Sequence, residues 1–259
     1  MSKKNKKTSQ PILSVDKANP DSVIELQTKL NLAGYKIKVD GVYGPITYNA
    51  HEDYNQKQLE ISASTGVDNI IDETKRRLIA TEVIKFAKQC VGQEEISGNM
   101  GFKTPWFYKM MVGVGFQKTH PWCCYFTELC WKEGYKKVLP AVTTIDGILT
   151  KLFSASVMQT RNNFVNSGKQ YGFEFSKTPT IGALMIYQSA SNKSFGHICI
   201  VETINGRKIG TIEGNTDKKG SREGIVVAEK QRDLDFTVKS SGLNLIGFVS
   251  LSTFSDLVA

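Results

Sequence analysis

The sequence predicts an α+β fold, in which helices come first and an antiparallel sheet follows. Two observations predict this fold. From about residue 20 to residue 134, apolar residues recur at helical spacings of three and four. After Gly182, short runs rich in β-branched residues are separated by Gly, Asn and Ser, which is typical of successive antiparallel strands.

Length and composition limit the classes of protein to consider. The chain has 259 residues, of which 40% are hydrophobic, so it can bury one large core or two ordinary ones and is not globally disordered. No apolar run approaches the ~20 residues that span a bilayer, so we expect no membrane insertion. The net charge of +8 attracts polyanions, but no nucleic-acid recognition motif accompanies it. We therefore expect no nucleic-acid partner, and we expect a monomer.

The cysteine count indicates a free thiol. Five cysteines leave at least one unpaired under any disulfide pattern, and none of them forms a Cys-x-x-Cys pair with zinc spacing. A disulfide scaffold is also unexpected in a chain with this much core material. The sequence thus predicts a reduced compartment and no metal site.

The first 60 residues predict a basic tail followed by a small helical domain. Residues 1–19 lack an apolar period, and we interpret them as a disordered tail. Asp21 or Ser22 is expected to cap a helix that ends near Gly34. Thr47 is expected to cap a second helix, after turn signals at residues 40–45. The Ser- and Thr-rich stretch 61–71 is predicted to be a linker.

The larger second domain is predicted over residues 72–259. A helix is expected over about 72–90, with Cys90 packed in the core, and another over about 123–134. An apolar stretch at residues 107–115 lies between them. The predicted strands are 183–187, 197–202, 208–213, 225–229 and 245–250.

Residues 120–126, with the sequence HPWCCYF, contain the first candidate for chemistry. Pro121 favours an extended backbone before the helix, which places Cys123 in the first helical turn. There the helix dipole and unpaired backbone N–H groups favour thiolate over thiol, against a usual pKa of ~8.5. The same N–H groups can stabilise an oxyanion. Trp122 is expected to wall the site, and His120 to line the cleft.

Only one of the two adjacent cysteines can face a cleft. Consecutive helical residues point about 100° apart, so Cys123 is predicted to face the cleft and Cys124 the core. The alternative, in which both cysteines only pack, stays open on this motif alone.

His197 is the candidate base. It follows Gly196 and begins an apolar run, so it is expected at the start of a buried strand. Glu213 and Asn215 follow on the next predicted strand, and alternation sends both to one face. Either can accept a hydrogen bond from the imidazole and fix its tautomer. A turn with no catalytic role is the alternative for residues 214–216.

Two resemblances connect these patterns to known families. The first domain, over residues 20–60, resembles the small helical peptidoglycan-binding domain of wall hydrolases. The resemblance rests on Leu26, Gln27, Leu30, Gly34, Tyr35, residues 39–45 and Thr47. It implies wall binding through Asp40 and Tyr43.

The second domain resembles the CHAP family of cysteine- and histidine-dependent amidohydrolases and peptidases. The resemblance rests on three motifs in the family's order: Trp122-Cys123 with Phe126, Gly196-His197 with Val201, and residues 211–216 (TIEGNT). It covers about residues 85–230, with an unusually long segment from Thr143 to Thr180 between motifs. It implies a papain-like fold in which Cys123 is the nucleophile, His197 the base, Glu213 the orienting residue and Asn215 an accessory polar residue.

The resemblances together predict a hydrolase that cleaves an amide bond of bacterial peptidoglycan. The bond is either the N-acetylmuramoyl–L-alanine amide or one within the stem or bridge peptide. Some family members use calcium, but no Asp-rich loop is visible, and we expect no cofactor. No apolar stretch of a signal peptide follows the basic start. We therefore expect a phage endolysin in the host cytoplasm before release to the wall, or a virion-associated, tail-associated lysin.

Two other functions stay open. The chain could bind cell walls without cutting them, on a degenerate hydrolase fold. It could also be a cysteine protease that acts on proteins.

Overall fold

The computed structural model describes residues 13–65, 68–140, 142–217 and 224–252, and of residues 58–65 and 68–72 it describes the backbone only. These residues divide into two compact units, with the boundary between Glu73 and Thr74. The predicted α+β fold is confirmed, because helices come first and the strands after them form an antiparallel sheet. No helix in these ranges is long and apolar enough to cross a membrane.

The first unit contains α1 (Pro20–Leu32) and α2 (Pro45–Thr65). The side chain of Asn19 caps α1 by accepting from the backbone N–H groups of Asp21 and Ser22. The prediction that Asp21 or Ser22 is the cap was therefore wrong. The physical reason is Pro20, whose fixed φ suits the first helical position and makes Asn19 the cap.

Buried Gln27 organises the loop between α1 and α2. Its amide group donates to the side chains of Asp40 and Thr47, at 3.0 and 3.1 Å. Its carbonyl oxygen accepts from the backbone N–H groups of Asp40 and Gly41, at 2.9 and 3.0 Å. A small apolar core lies beside this network and consists of Leu26, Leu30, Ala50 and Tyr54. This loop is therefore held by a hydrogen-bond network centred on the Gln27 side chain.

The prediction of a disordered tail over residues 1–19 is wrong for residues 13–19. Residues 1–12 lie outside the described residues, but residues 13–19 belong to the first unit. The Leu13 N–H donates to the Asn55 side chain at 2.9 Å, and the Leu13 carbonyl contacts His51 Nε2 at 2.8 Å. Leu13 and Val15 pack on the apolar core, because they alternate towards it as in an extended segment.

The predicted linker over residues 61–71 is largely helical. α2 extends through Thr65, and α3 (Asp68–Gln89) begins three residues later, while residues 66–67 lie outside the described residues. The segment contains no proline, and its only glycine is Gly66. Ser and Thr are compatible with a helix, so a stretch rich in them does not by itself end one.

Further helices of the second unit precede the sheet. After α3 come α4 (Pro105–Gly113) and α5 (Cys123–Val138). The segment 143–180 forms α6 (Thr144–Leu152), α7 (Val157–Asn163) and a π-helical turn at Phe164–Gly168. The segment between the sequence motifs is therefore a mainly helical insertion, which ends in one short strand of the sheet at Glu174–Ser176.

Within the described residues, six strands form one sheet with the order β1-β6-β2-β3-β4-β5. Each neighbouring pair is antiparallel. The strands are β1 (Glu174–Ser176), β2 (Leu184–Ser189), β3 (Gly196–Asn205), β4 (Lys208–Thr216), β5 (Val226–Asp233) and β6 (Leu243–Ser250). The five predicted strands are confirmed, and β1 was not predicted.

α5 packs on β3 and β4 and so brings the sequence motifs together. Its apolar face, including Phe126 and Leu129, shares one core with Ile198, Ile200 and Ile212 of these strands. Because β3 and β4 are antiparallel, the start of β3 lies beside the end of β4. His197 and the residues 213–215 therefore lie at the same end of the sheet.

Candidate active site

Cys123 is the first residue of α5. Trp122 occupies the capping position, and its side chain makes no capping hydrogen bond. The first N–H groups of the helix are thus not satisfied by a side chain of that residue, and the positive end of the helix dipole lies at the thiol. Cys123 is only 4% exposed, yet it lines a cavity.

His197 is fully buried as the second residue of β3. Its Nε2 lies 2.9 Å from Oε2 of Glu213. Its Nδ1 makes no hydrogen bond of good geometry with any described residue. Since Glu213 occupies Nε2, Nδ1 is the ring nitrogen that remains for Cys123, and the interaction between the two side chains shifts the pKa of both.

Glu213 is a fully buried carboxylate with a complete set of partners. The Arg232 guanidinium donates to both oxygens, from Nε to Oε1 at 2.7 Å and from its terminal nitrogen to Oε2 at 2.6 Å. The Thr211 hydroxyl donates to Oε1 at 2.6 Å. Burial by itself would raise the pKa of Glu213, but hydrogen bonds from Arg232 and His197 lower it well below its usual value. Glu213 is therefore held ionised beside His197.

The pKa values of Cys123 and His197 move in opposite directions. Hydrogen bonding with the Cys124 thiol lowers the pKa of Cys123, burial opposes this effect, and the interaction with His197 lowers the pKa further. The net result lies well below the usual thiol value. Burial lowers the pKa of His197, but its interactions with Cys123 and Glu213 outweigh burial and raise the pKa to about 9. These opposite shifts favour a thiolate–imidazolium pair, which is the reactive form of a cysteine nucleophile.

The other cysteines are held as thiols. Burial is the largest cause that raises the pKa of Cys124, and the Thr160 hydroxyl lies 3.8 Å from its sulfur. Burial likewise raises the pKa of Cys130 and Cys199, and that of Cys90 to about 12. These four cysteines have the environment of packing residues.

The cavity beside Cys123 has a volume of about 250 Å³. It is lined by His120, Pro121, Phe195, Gly196 and Asn215, together with residues of the insertion. The imidazole of His120 stacks on Tyr125, with 17° between the ring planes, and its Nδ1 lies 3.1 Å from the tyrosine hydroxyl. The structure therefore places His120 and Asn215 at the same cavity as Cys123.

Glu213 and Asn215 follow Cys123 by 90 and 92 positions in the sequence, and they meet the start of α5 because Gly214 permits a close approach. A Cβ at Gly214 would lie 2.7 Å from both Phe126 and Trp122, so a larger residue would push β4 away from α5. Asn215 has φ 54°, and the pairing of β4 with β5 shifts between Glu213 and Thr216. The expected alternation thus breaks here: Glu213 contacts His197, and Asn215 lines the cavity.

Trp122 does not wall the cleft, contrary to the prediction. It is fully buried, it is not among the described residues that line the cavity, and its Nε1 donates to Oε2 of Glu95 at 2.5 Å. Its ring packs at near right angles on Phe102 and Phe126. A large aromatic ring is stabilised most by complete burial, so Trp122 supports the start of α5 from within the core.

A comparison with protein families agrees with the site geometry described above. Residues 115–215 match the family model of the CHAP domain. Comparison with curated proteins and with solved structures gave no significant match. The CHAP match covers less than half of the chain, and it includes Cys123, His197, Glu213 and Asn215. A CHAP domain implies, in general, a cysteine- and histidine-dependent amidase or peptidase activity on peptidoglycan.

Arg232 and Thr211 were not predicted, although both contact Glu213. Arg232 lies on β5, beyond the CHAP match, and pairs across the sheet with Ile209. Thr211 precedes Glu213 by two residues and so lies on the same face of β4. A buried carboxylate requires charged or hydrogen-bonding partners, and that requirement is the signal that could have led to a search for a basic residue on β5.

The two residues predicted to bind the wall lie in the first unit. Asp40 accepts from Gln27 and from the Val42 N–H, and these bonds lower the pKa of its carboxyl. The Tyr43 hydroxyl lies 2.8 Å from Nδ1 of His51. Asp40 therefore stabilises the loop, while the half-buried Tyr43 ring neighbours exposed apolar side chains, including Val42.

In the part of the chain that the structure describes, no group of three or more His, Cys, Asp and Glu side chains is arranged to hold a metal ion.

Proposed function

We propose that the chain hydrolyses an amide bond of bacterial peptidoglycan, with Cys123 as nucleophile. The observation that carries the proposal is the buried series Cys123–His197–Glu213. Its terminal carboxylate is ionised, and its imidazole has a pKa of about 9. The CHAP match supplies the substrate class. The imidazole acts as base and acid, and Glu213 orients it through Nε2.

The reaction proceeds in two steps. The Cys123 sulfur attacks the amide carbonyl carbon and forms a tetrahedral intermediate. Backbone N–H groups at the start of α5 can stabilise the oxyanion of this intermediate. The carbon–nitrogen bond breaks as His197 gives its proton to the leaving amine, which leaves a thioester on Cys123. Neutral His197 then takes a proton from water, which attacks the thioester and releases the acid and the free thiolate.

Digestion of purified sacculi tests this proposal. The full chain, the Cys123→Ala variant and the matched Cys124→Ala variant are incubated with sacculi, and the released fragments are identified by mass spectrometry. We expect fragments from the wild type and from Cys124→Ala, and none from Cys123→Ala. A free L-alanine amine with an intact muramic lactyl acid identifies an amidase, whereas new amines within the peptide identify an endopeptidase.

The same experiment separates the two other functions. A wall-binding protein without activity would sediment with sacculi and release no fragments. A cysteine protease that acts on proteins would digest casein in a Cys123-dependent manner and leave sacculi intact. Either result would contradict the proposed hydrolase.

We further propose that the first unit binds the wall through the surface around Tyr43. This surface presents the exposed side chains of Val42, Ile46 and Tyr48, and aromatic rings of this kind can stack on sugars. In the inactive Cys123→Ala chain, Tyr43→Ala should weaken co-sedimentation with sacculi. Tyr35→Ala is the matched control, because Tyr35 packs on the same core elsewhere. Equal loss in both variants would indicate unfolding of the unit and contradict a role for Tyr43.

A hydrolase joined to a wall-binding unit suits a phage lysin, and we propose that the chain is an endolysin or a virion-associated lysin. Mass spectrometry of purified virions and of lysates from the producing phage would distinguish the two. Detection in uninfected bacteria without a prophage would contradict both.

A further inference from the structure

The insertion between the sequence motifs forms one wall of the cavity beside Cys123. Ala155, Ser156 and Val157, at the start of α7, line the cavity together with residues of the catalytic motifs. Residues of the insertion and residues of the CHAP-type motifs thus line the same cavity, where the substrate must lie.

The wall is fixed in place by direct packing on the site. A Cβ at Gly196, next to His197, would lie 3.0 Å from the Val157 side chain, so α7 and β3 meet with no side chain between them. The Thr160 hydroxyl holds both backbone groups of Ser154, at 2.9 and 3.1 Å, and also contacts the Cys124 sulfur. Since packed elements of this kind resist displacement, the wall is preformed.

Apart from the sulfur of Cys123, which is uncharged once it forms the thioester, the lining of the cavity carries no fixed charge. Among the described residues that line it there is no carboxylate, ammonium or guanidinium group. A charged group that enters such a site gives up part of its hydration without gaining a fixed counter-charge, so its entry is disfavoured. The volume of about 250 Å³ lies just below the ~300–1,000 Å³ of whole-ligand pockets, so the cavity holds one part of a larger substrate.

We propose that Ala155–Val157 form a specificity wall that selects an uncharged acyl residue. This inference rests on the proposed function and names its substrate class. In the covalent intermediate the acyl group is bonded to the Cys123 sulfur, so its side chain is the part of the substrate nearest to the wall. A lactyl or alanyl carbonyl suits this cavity, whereas a residue with a free carboxylate or ammonium on its side chain does not.

The first arm of the test identifies the acyl residue at the cut. The full chain is incubated with peptidoglycan made soluble by a muramidase, and tandem mass spectrometry locates each newly formed carboxyl group. We expect the new carboxyl to belong to an uncharged residue. Cleavage after a residue with a charged side chain would overturn the specificity wall and leave the proposed hydrolase intact, whereas no cleavage at all would overturn the proposed function.

The second arm changes the wall itself. Ala155 is half-buried in the loop before α7, so Ala155→Asp introduces a charge and Ala155→Asn introduces a similar shape without one. We expect Ala155→Asp to raise KM about tenfold more than Ala155→Asn, with kcat changed equally, because the added carboxylate must lose its hydration when an uncharged group enters. Equal KM values for the two variants would contradict the proposed specificity wall. If either variant fails to fold, the first arm of the test decides whether the proposal holds.

Discussion

The two sides of the start of α5 present two adjacent thiols in opposite states. On one side, Cys123 faces His197 and the cavity, and its pKa is lowered; on the other, Cys124 faces Thr160 and the core, and its pKa is raised. Both residues lie at the same end of the same helix, so the helix dipole cannot account for the difference. The difference follows from the partners of each thiol: the Cys124 thiol and His197 lower the pKa of Cys123, whereas burial is the largest cause that raises the pKa of Cys124.

Among these predictions, the largest effect on the rate of wall hydrolysis is expected from Cys123→Ala, and the effect of Cys124→Ala is expected to be much smaller. Cys123→Ala should lower the rate of wall hydrolysis by about 10⁴-fold or more, because no nucleophile remains. Cys124→Ala should remain within about tenfold of the wild type, because it removes only a hydrogen-bond partner of the thiolate. Turbidity loss of a sacculus suspension measures both rates. Inactivation by Cys124→Ala with Cys123→Ala still active would reverse the assignment.

Neutralisation of Glu213 should have the next largest effect. Glu213→Gln keeps the shape of the side chain but removes the charge that helps to raise the pKa of His197, so we expect a loss of about 10²–10⁴-fold in kcat. Glu229→Gln, at an exposed position on β5, is the matched control and should retain activity. Equal activity of Glu213→Gln and wild type in a single-turnover assay would show that the imidazole needs no orienting carboxylate.

Arg232 should affect stability as well as catalysis. Arg232→Met leaves the buried Glu213 carboxylate with fewer partners, and we expect the free energy of unfolding at pH 7 to fall by about 3 kcal/mol. The pKa of Glu213 is lowered in the folded chain, so this stabilisation is complete above its usual pKa of 4.5 and is lost progressively as the pH falls from that value through the much lower pKa of the folded chain. Urea unfolding at pH 7 and at the lowest pH at which the chain stays folded measures the difference.

The control for Arg232→Met is Arg207→Met, which changes an exposed arginine. It should leave the free energy of unfolding close to that of the wild type at both pH values. A loss in Arg232→Met that does not shrink at acid pH would show that packing, and not the ion pair with Glu213, is what Arg232 supplies.

The pH dependence of hydrolysis should reflect the Cys123–His197 pair. His197 has a pKa of about 9, so above this pH the imidazolium loses the proton that the leaving amine requires. We expect kcat to fall above about pH 9, approaching tenfold per pH unit, while the acid side falls only at the lowered pKa of Cys123. Initial rates between pH 4 and pH 11 measure the profile, within the range in which circular dichroism shows the chain folded. A rate that rises steadily through pH 10 would indicate an ordinary thiol without an imidazolium partner.

Local sequence patterns predicted most of the second unit. The strands β2 to β6 are runs of β-branched residues between turn residues, and such runs identify strands without knowledge of their partners. β1, with three residues, is too short to show a period. Asn19 was not identified as a cap because the prediction overlooked the preference of Pro20 for the first helical position.

The candidate site was predictable to the extent that it depends on motifs. Cys123, His197 and Glu213 lie in short motifs, and the structure brings them together. Arg232 could not be assigned, because its contact with Glu213 depends on the register of β4 against β5. The position of Asn215 depends on a backbone with positive φ, which simple alternation does not predict.

Residue-resolved alkylation tests the account most directly. The folded chain is exposed briefly to iodoacetamide at a series of pH values, and tandem mass spectrometry of the peptide that contains both adjacent cysteines assigns the label. We predict that Cys123 is labelled first, with a midpoint well below the usual thiol pKa of ~8.5, and that Cys124 stays unlabelled until the chain unfolds. Preferential labelling of Cys124, or a Cys123 midpoint at or above ~8.5, would contradict the thiolate–imidazolium pair.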